Sequence, residues 1–123
     1  MIVVSDTAAL AEHLGPLRHR TGTIAFVPTM GNLHDGHLAL VNQARAAADA
    51  VVVSIFVNPM QFTAHEDLDT YPRTLDDDLS ALRETGVDLL LTPRANDIYP
   101  STSAQHTAIH VPVLGDALCG KDR

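Results

Sequence analysis

The sequence is poor in several features that mark other classes of protein. One cysteine, Cys119, stands in 123 residues, so no internal disulfide can form and a reducing compartment is expected. Basic residues are few: eight Lys and Arg against fifteen Asp and Glu, a net charge of −7. A nucleic-acid partner ordinarily needs a basic face, so none is expected. No apolar run is long enough to span a bilayer, and no basic stretch with an apolar signal core follows Met1. The expectation is a cytoplasmic protein with no membrane partner. Tryptophan is absent, which carries no functional reading. There is no internal repeat and no low-complexity tract. No G-x-G-x-x-G follows the first apolar run, so the usual dinucleotide fingerprint is missing.

What is present is a globular composition, 46% hydrophobic, in a length that suits one domain with one core. The stretch that organises it runs over residues 26–37, Phe-Val-Pro-Thr-Met-Gly-Asn-Leu-His-Asp-Gly-His. Residues 24–27 read as a buried strand, which Pro28 and Gly31 break. His34 and His37 then stand where a helical pattern begins, with Leu38, Val41 and Ala44 at its spacing. A helix N-terminus presents unbonded backbone N–H groups and the positive end of its dipole, so it suits phosphate. Gly36, with no Cβ, lets a ligand approach the backbone. Two imidazoles three residues apart can meet one anion. Taken alone, the His-x-x-His spacing is also compatible with surface histidines, with polar groups satisfied at a helix cap, or with part of a metal site. For the last, no third ligand of suitable spacing is visible.

In chain order, residues 2–4 form a short β-type run, and Ser5 or Asp6 can cap a helix over 7–20 whose leucines recur at positions 10, 14 and 17. Pro16 should kink or shorten that helix. A second helix is expected over 37–48. Residues 50–57 are an unbroken apolar run interrupted only by Ser54, the pattern of a central parallel strand. If it neighbours the 24–27 strand, their carboxyl ends share an edge, where open α/β sheets bind ligands. That would bring Met60, Gln61 and Phe62 to the histidine loop, with the Gln61 amide able to donate and accept. Residues 63–73 read as a polar loop. His65, Glu66, Asp67 and Asp69 in it are taken as solvated acidic surface, and Arg73 as a surface ion pair. Thr74 with Asp77 resembles a capping box, and Asp76, Asp77 and Asp78 complement the dipole of the helix that follows. Leu75, Leu79 and Leu82 form its buried stripe, and Gly86 is its C-cap. A strand over 87–91, a loop at 97–100, a last strand over 107–111 and a short helical turn over 113–118 complete the chain. Strand–helix alternation predicts an α/β, Rossmann-like, doubly wound parallel sheet.

With these blocks in place, the sequence resembles the pantothenate synthetase (pantoate–β-alanine ligase) family, in its N-terminal part. The resemblance is carried by Val27-Pro28-Thr29-Met30-Gly31-Asn32-Leu33-His34-Asp35-Gly36-His37 and by Val52-Val53-Ser54-Ile55-Phe56-Val57-Asn58-Pro59-Met60-Gln61-Phe62. Tyr71-Pro72-Arg73-Thr74-Leu75, Gly86-Val87-Asp88-Leu89 and Ile98-Tyr99-Pro100 add to it.

This resemblance implies an HxGH nucleotidyltransferase-type fold and a two-step reaction with ATP and Mg²⁺. Pantoate attacks the α-phosphate to give pantoyl adenylate and pyrophosphate; β-alanine then attacks the adenylate to give pantothenate and AMP. By motif position it places His34 and His37 on the ATP phosphates, with His37 as the catalytic histidine. Met30, Gly31, Asn32, Leu33, Asp35 and Gly36 border the nucleotide, and Pro28, Thr29, Met30 and Gln61 hold pantoate and β-alanine. No metal ligand is assigned to the protein. A homodimer built largely from this domain is implied. The family's downstream Gly-x-Lys-Asp-x-x-Gln and Ser-Ser-Arg segments and its C-terminal domain have no counterpart here, and Lys121-Asp122 is no substitute. The expectation is therefore an incomplete N-terminal ATP/pantoate-binding domain, residues 1–123, weak or inactive as a catalyst alone. The alternatives are a non-catalytic ATP- or pantoate-binding half and a nucleotidyltransferase of the same superfamily.

Overall fold

A computed structural model describes residues 1–20, 22–62, 68–99, 111–113 and 115. The expected last strand over 107–111, the turn over 113–118, Cys119, Lys121-Asp122 and residues 65–67 of the acidic loop lie wholly or mainly outside the described residues, as does the side chain of Asp69.

Strands and helices alternate: β1 (Ile2–Val4), α1 (Thr7–Arg20), β2 (Ile24–Thr29), α2 (Asp35–Ala47), β3 (Ala50–Ile55), α3 (Leu75–Glu84), β4 (Leu89–Leu91) and α4 (Ala95–Ile98). The strands form one parallel sheet in the order β1-β4-β3-β2. β3 lies between two partners and is buried almost throughout, as an unbroken apolar run requires. Core side chains fall on two faces. One holds Val27, Val41, Val51, Val53, Leu82, Val87 and Leu90, with α2 and α3 supplying Val41 and Leu82. The other holds Val4, Val52, Leu89 and Leu91, against which Leu10, Leu14 and Leu17 of α1 pack. The sheet is thus covered on both sides, the doubly wound, Rossmann-like arrangement expected from the alternation.

Several boundaries differ from the sequence reading. β2 runs on through Pro28 to Thr29 instead of breaking at Pro28. It pairs with β3 alone among the described strands, and a proline without an N–H is tolerated on such an outer strand. α1 likewise continues through Pro16. Asp6 caps it, its Oδ1 accepting from the Ala9 N–H at 2.8 Å. α2 begins at Asp35, two residues before the expected start, because His34 serves as N-cap. β3 and β4 are shorter than the apolar runs that suggest them. Val87 is spent on ending α3: its N–H donates to Leu82 O and the Gly86 N–H to Arg83 O. This is a Schellman stop, with Gly86 at φ +74° one residue past the Thr85 cap. Residues 95–98 form a helical turn where a loop was expected.

α3 departs most from expectation. Thr74 is its N-cap but makes no side-chain cap bond; its hydroxyl donates instead to Asp78 Oδ1 at 3.3 Å, so no capping box forms with Asp77. Leu82 is fully buried and Leu79 packs on the core, but Leu75 is 44% exposed. Asp78 is 3% exposed, turned inward from the acidic first turn.

Candidate active site

β2 and β3 run parallel in register, Pro28 opposite Ser54 and Thr29 opposite Ile55, so their carboxyl ends reach one edge of the sheet. Thr29 locks that edge: its hydroxyl donates to Ser54 O at 2.8 Å and accepts from the Gly31 N–H at 3.2 Å. The chain then turns through two left-handed residues, Gly31 at φ +82° and Asn32 at φ +52°. A Cβ on Gly31 would meet Ile55 Cγ2 at 3.0 Å and Asp78 Oδ2 at 3.1 Å, so glycine is required there by space as well as by φ. The Asn32 N–H donates to Asp78 Oδ2 at 3.0 Å and the Leu33 N–H to Asp78 Oδ1 at 2.8 Å.

α2 starts on the histidines themselves. His34 Nδ1 accepts from the Gly36 N–H at 3.1 Å, and His37 Nδ1 accepts from the His34 N–H at 3.3 Å, a reciprocal cap made by two imidazoles. Their ring centroids lie 4.1 Å apart. Gly36 also has a local role. A Cβ there would meet His34 Cε1 at 2.9 Å, so its absence makes room for the His34 ring. Because both Nδ1 atoms accept, a neutral ring carries its proton on Nε2, and each histidine offers an Nε2–H donor. Partial burial, reinforced by the neighbouring His34, lowers the pKa of His37, while the Asp78 carboxylate opposes that shift. His37 is therefore neutral at pH 7.

A cavity of about 360 Å³ lies against this edge, lined by Pro28, Thr29, Met30, His37, Ser54, Phe56, Asn58 and Gln61. Gln61 sits in a 3₁₀ turn, Pro59–Gln61, started by Asn58. Asn58 Oδ1 accepts from the Met60 N–H at 3.0 Å and from the Tyr99 hydroxyl at 3.1 Å. Of the residues expected to bind substrate, Pro28, Thr29, Met30 and Gln61 all line this one cavity together with His37. Asn32, Leu33, His34, Asp35 and Gly36 form the adjoining turn and helix start and do not line it. Gly31, with Met30 and Phe56 again, borders a neighbouring cavity of about 460 Å³ over the ends of β3 and β4, where Arg73, Thr74, Leu75, Asp78, Thr92 and Arg94 contribute. The Arg73 guanidinium donates to the backbone acceptors Tyr71 O and Leu68 O. Met60, expected at the loop, is 61% exposed. Asp78, Thr29, Phe56 and Asn58 gain their roles from long-range partners. Thr29 was already expected to bind substrate, whereas the only sequence signal of Asp78, as the third of three aspartates, pointed to the helix dipole.

Among the described residues no group of three or more His, Cys, Asp or Glu side chains is placed to hold a metal ion, and the His34/His37 pair has no third ligand. Nor is any helix among them long and apolar enough to cross a membrane.

A family model for pantoate-beta-alanine ligase matches residues 2–123. The pantothenate synthetase of Shewanella piezotolerans is 53% identical over 123 residues, covering 100% of this chain and 44% of that protein. The enzyme of Aeromonas hydrophila is 55% identical over 120 residues, 98% of this chain and 42% of that one. Among solved structures, pantoate-beta-alanine ligase from Francisella tularensis, in complex with β-γ ATP and β-alanine, superimposes with a TM-score of 0.82 at 36% identity, over 100% of this chain and 46% of that one. Pantothenate synthetase from Thermus thermophilus gives 0.80 at 41% identity, over 98% and 42%. The chain spans less than half the length of these relatives. Matched along nearly all of its own length in both sequence and fold, it belongs to the pantoate–β-alanine ligase family.

Proposed function

We propose that the chain takes part in the ATP-dependent condensation of pantoate with β-alanine, through a pantoyl-adenylate intermediate. The observation that carries this reading is the meeting of His37 and Gln61 in one cavity with Pro28, Thr29 and Met30, at the edge where two parallel strands end. One wall of that cavity carries His37 from the first turn of α2, the other an amide and a strand end. Phosphate suits the first, a hydroxy acid the second.

In the first step an oxygen of the pantoate carboxylate bonds to the α-phosphorus of ATP, and the bond to the β-phosphate oxygen breaks, releasing pyrophosphate. Neutral His37 donates from Nε2–H to phosphate oxygens as negative charge grows on them, with His34 as the second donor. Such donors are most useful when held in place beforehand, and the reciprocal cap holds both rings. Gln61 binds pantoate through donor and acceptor atoms at once, and Thr29 and Met30 shape the pocket beneath it. In the second step the β-alanine amine attacks the acyl carbon, and AMP leaves with the electron pair. Placing amine and adenylate in one pocket makes this step effectively unimolecular.

Mg²⁺ belongs to the same reading, but the described residues do not fit a protein-held ion. The oxygens of Asp78, the buried carboxylate at this edge, are already bonded to backbone N–H groups. The roles above rest on the chain's own side chains. A homodimer and a cytoplasmic location accompany the proposal, the first resting on the family resemblance and the second on the single cysteine.

The test is pantoate-dependent pyrophosphate release from ATP by the wild-type chain beside His37→Ala. Release that requires pantoate and is lost in the variant, even if weak as expected of this chain alone, would support the reading. Release driven equally by other acceptors would point to a nucleotidyltransferase. No release from a folded sample that still binds ATP or pantoate would make these residues a binding half.

A further inference from the structure

Asp76, Asp77 and Asp78 open α3 with the same side chain, yet only Asp78 is buried. Its own backbone N–H donates to Thr74 O, so its carboxylate is not needed to cap its helix. Instead it reaches residues more than forty positions earlier and accepts the consecutive N–H groups of Asn32 and Leu33. Consecutive N–H groups in left-handed backbone converge into a concavity that binds anions, and here a carboxylate of the chain itself fills it. The N–H groups would otherwise be buried in part without acceptors, and Asn32 would hold a positive φ with nothing to compensate. Gly31 is the complement of this arrangement, since any larger residue would press on Asp78 Oδ2. The turn leads from Met30, in the cavity wall, to His34, the N-cap of α2.

We propose that Asp78 is a positioning residue for the two histidines. By fixing the turn at 31–33 from α3, it sets where α2 begins and so where the His34 and His37 rings stand relative to the cavity. It acts through the backbone N–H groups of that turn. For its catalytic consequence the inference rests on the ligase reading.

The test compares wild type with Asp78→Asn, which keeps the size but offers one acceptor oxygen where two are used. Three readouts are taken on samples shown to be folded by circular dichroism. Amide hydrogen exchange at Asn32 and Leu33 should accelerate. The His37 imidazole, followed by NMR, should titrate at still lower pH, because the carboxylate that opposes its downward shift is gone. In pantoate-dependent pyrophosphate release, kcat should fall by about 10- to 100-fold, the scale of a slightly misplaced catalytic group. KM for pantoate should change little, because Pro28, Thr29 and Gln61 do not hang from Asp78. If Asp78→Asn fails to fold, Thr74→Val removes only the hydroxyl that steadies the carboxylate and should shift amide exchange and kcat the same way by less, with the His37 titration little changed because the carboxylate stays. Unchanged amide exchange and unchanged His37 titration in a folded variant would overturn the inference, as would a full kcat. Absence of pyrophosphate release in the wild type would count against the ligase reading alone, and exchange and titration would still decide the role of Asp78.

Discussion

At the scale of single residues, His37 does two things with one ring. Nδ1 accepts the His34 N–H and closes the cap, which leaves Nε2–H as the donor on the cavity side of the chemistry. Protonation would put a hydrogen on Nδ1 and oppose that cap, so the state that serves the site is also the state that serves the helix. The depressed pKa of His37 fixes the sign of the pH dependence. Above its ordinary value, 6.5, the ring is neutral both folded and unfolded, and its contribution to stability is complete. As pH falls below that value the unfolded chain takes up the proton first. Stability is then lost until the pH has passed through the lower pKa of the folded state. Urea unfolding at pH 7.5, 6.5 and 5.5 should show wild type losing more stability across this window than His37→Gln. Equal losses in the two proteins would refute the assignment. The phosphate and cap readings of the two histidines, alternatives in the sequence, are compatible in the structure.

At the scale of elements, α3 shows what periodicity can and cannot reveal. The spacing of Leu75, Leu79 and Leu82 correctly marks a helix, yet the stripe is not uniformly buried, because Leu75 sits in the first turn beside the larger cavity. Leu82→Ala should cost about 2–5 kcal/mol, the range for emptying a packed site. Leu75→Ala should cost about 1 kcal/mol or less, because its side chain is already half in water. Denaturant unfolding of the two variants measures the difference, and similar losses would contradict the burial described here. Other misses have equally local causes. Pro28 looks like a strand breaker until β2 is seen to have β3 as its one partner among the described strands. Val87 looks like strand until its N–H is found closing α3. The Thr74–Asp77 spacing matches a capping box, but the hydroxyl is drawn to Asp78. In each case a partner distant in sequence or in the sheet outweighs a sound local preference.

At the scale of the whole molecule, the chain's alternation of apolar runs and helical patterns was enough to give the class, and the unbroken β3 run gave the centre of the sheet. The pairing of β2 with β3, on which the union of Gln61 with the histidine loop depends, was a condition in the sequence and is a fact of the sheet. The family was legible as well, because its blocks are long and lie in the same elements that build the site. What sequence could not show was how the site is held. Asp78 to Asn32 and Leu33, Thr29 to Ser54 and Tyr99 to Asn58 are bonds across 25 to 46 residues that no spacing announces.

The central claim is that the edge formed by β2, β3 and the start of α2 binds ATP and pantoate. An amide NMR titration of the 123-residue chain, first with ATP and then with pantoate, tests it most directly. The account predicts saturable shifts over residues 31–38 with ATP and at Thr29, Met30 and Gln61 with pantoate. Arg45, Asp49 and Gly86, around a separate cavity away from this edge, should stay still. Shifts centred on those three residues, or no saturable shift in a folded chain, would contradict it.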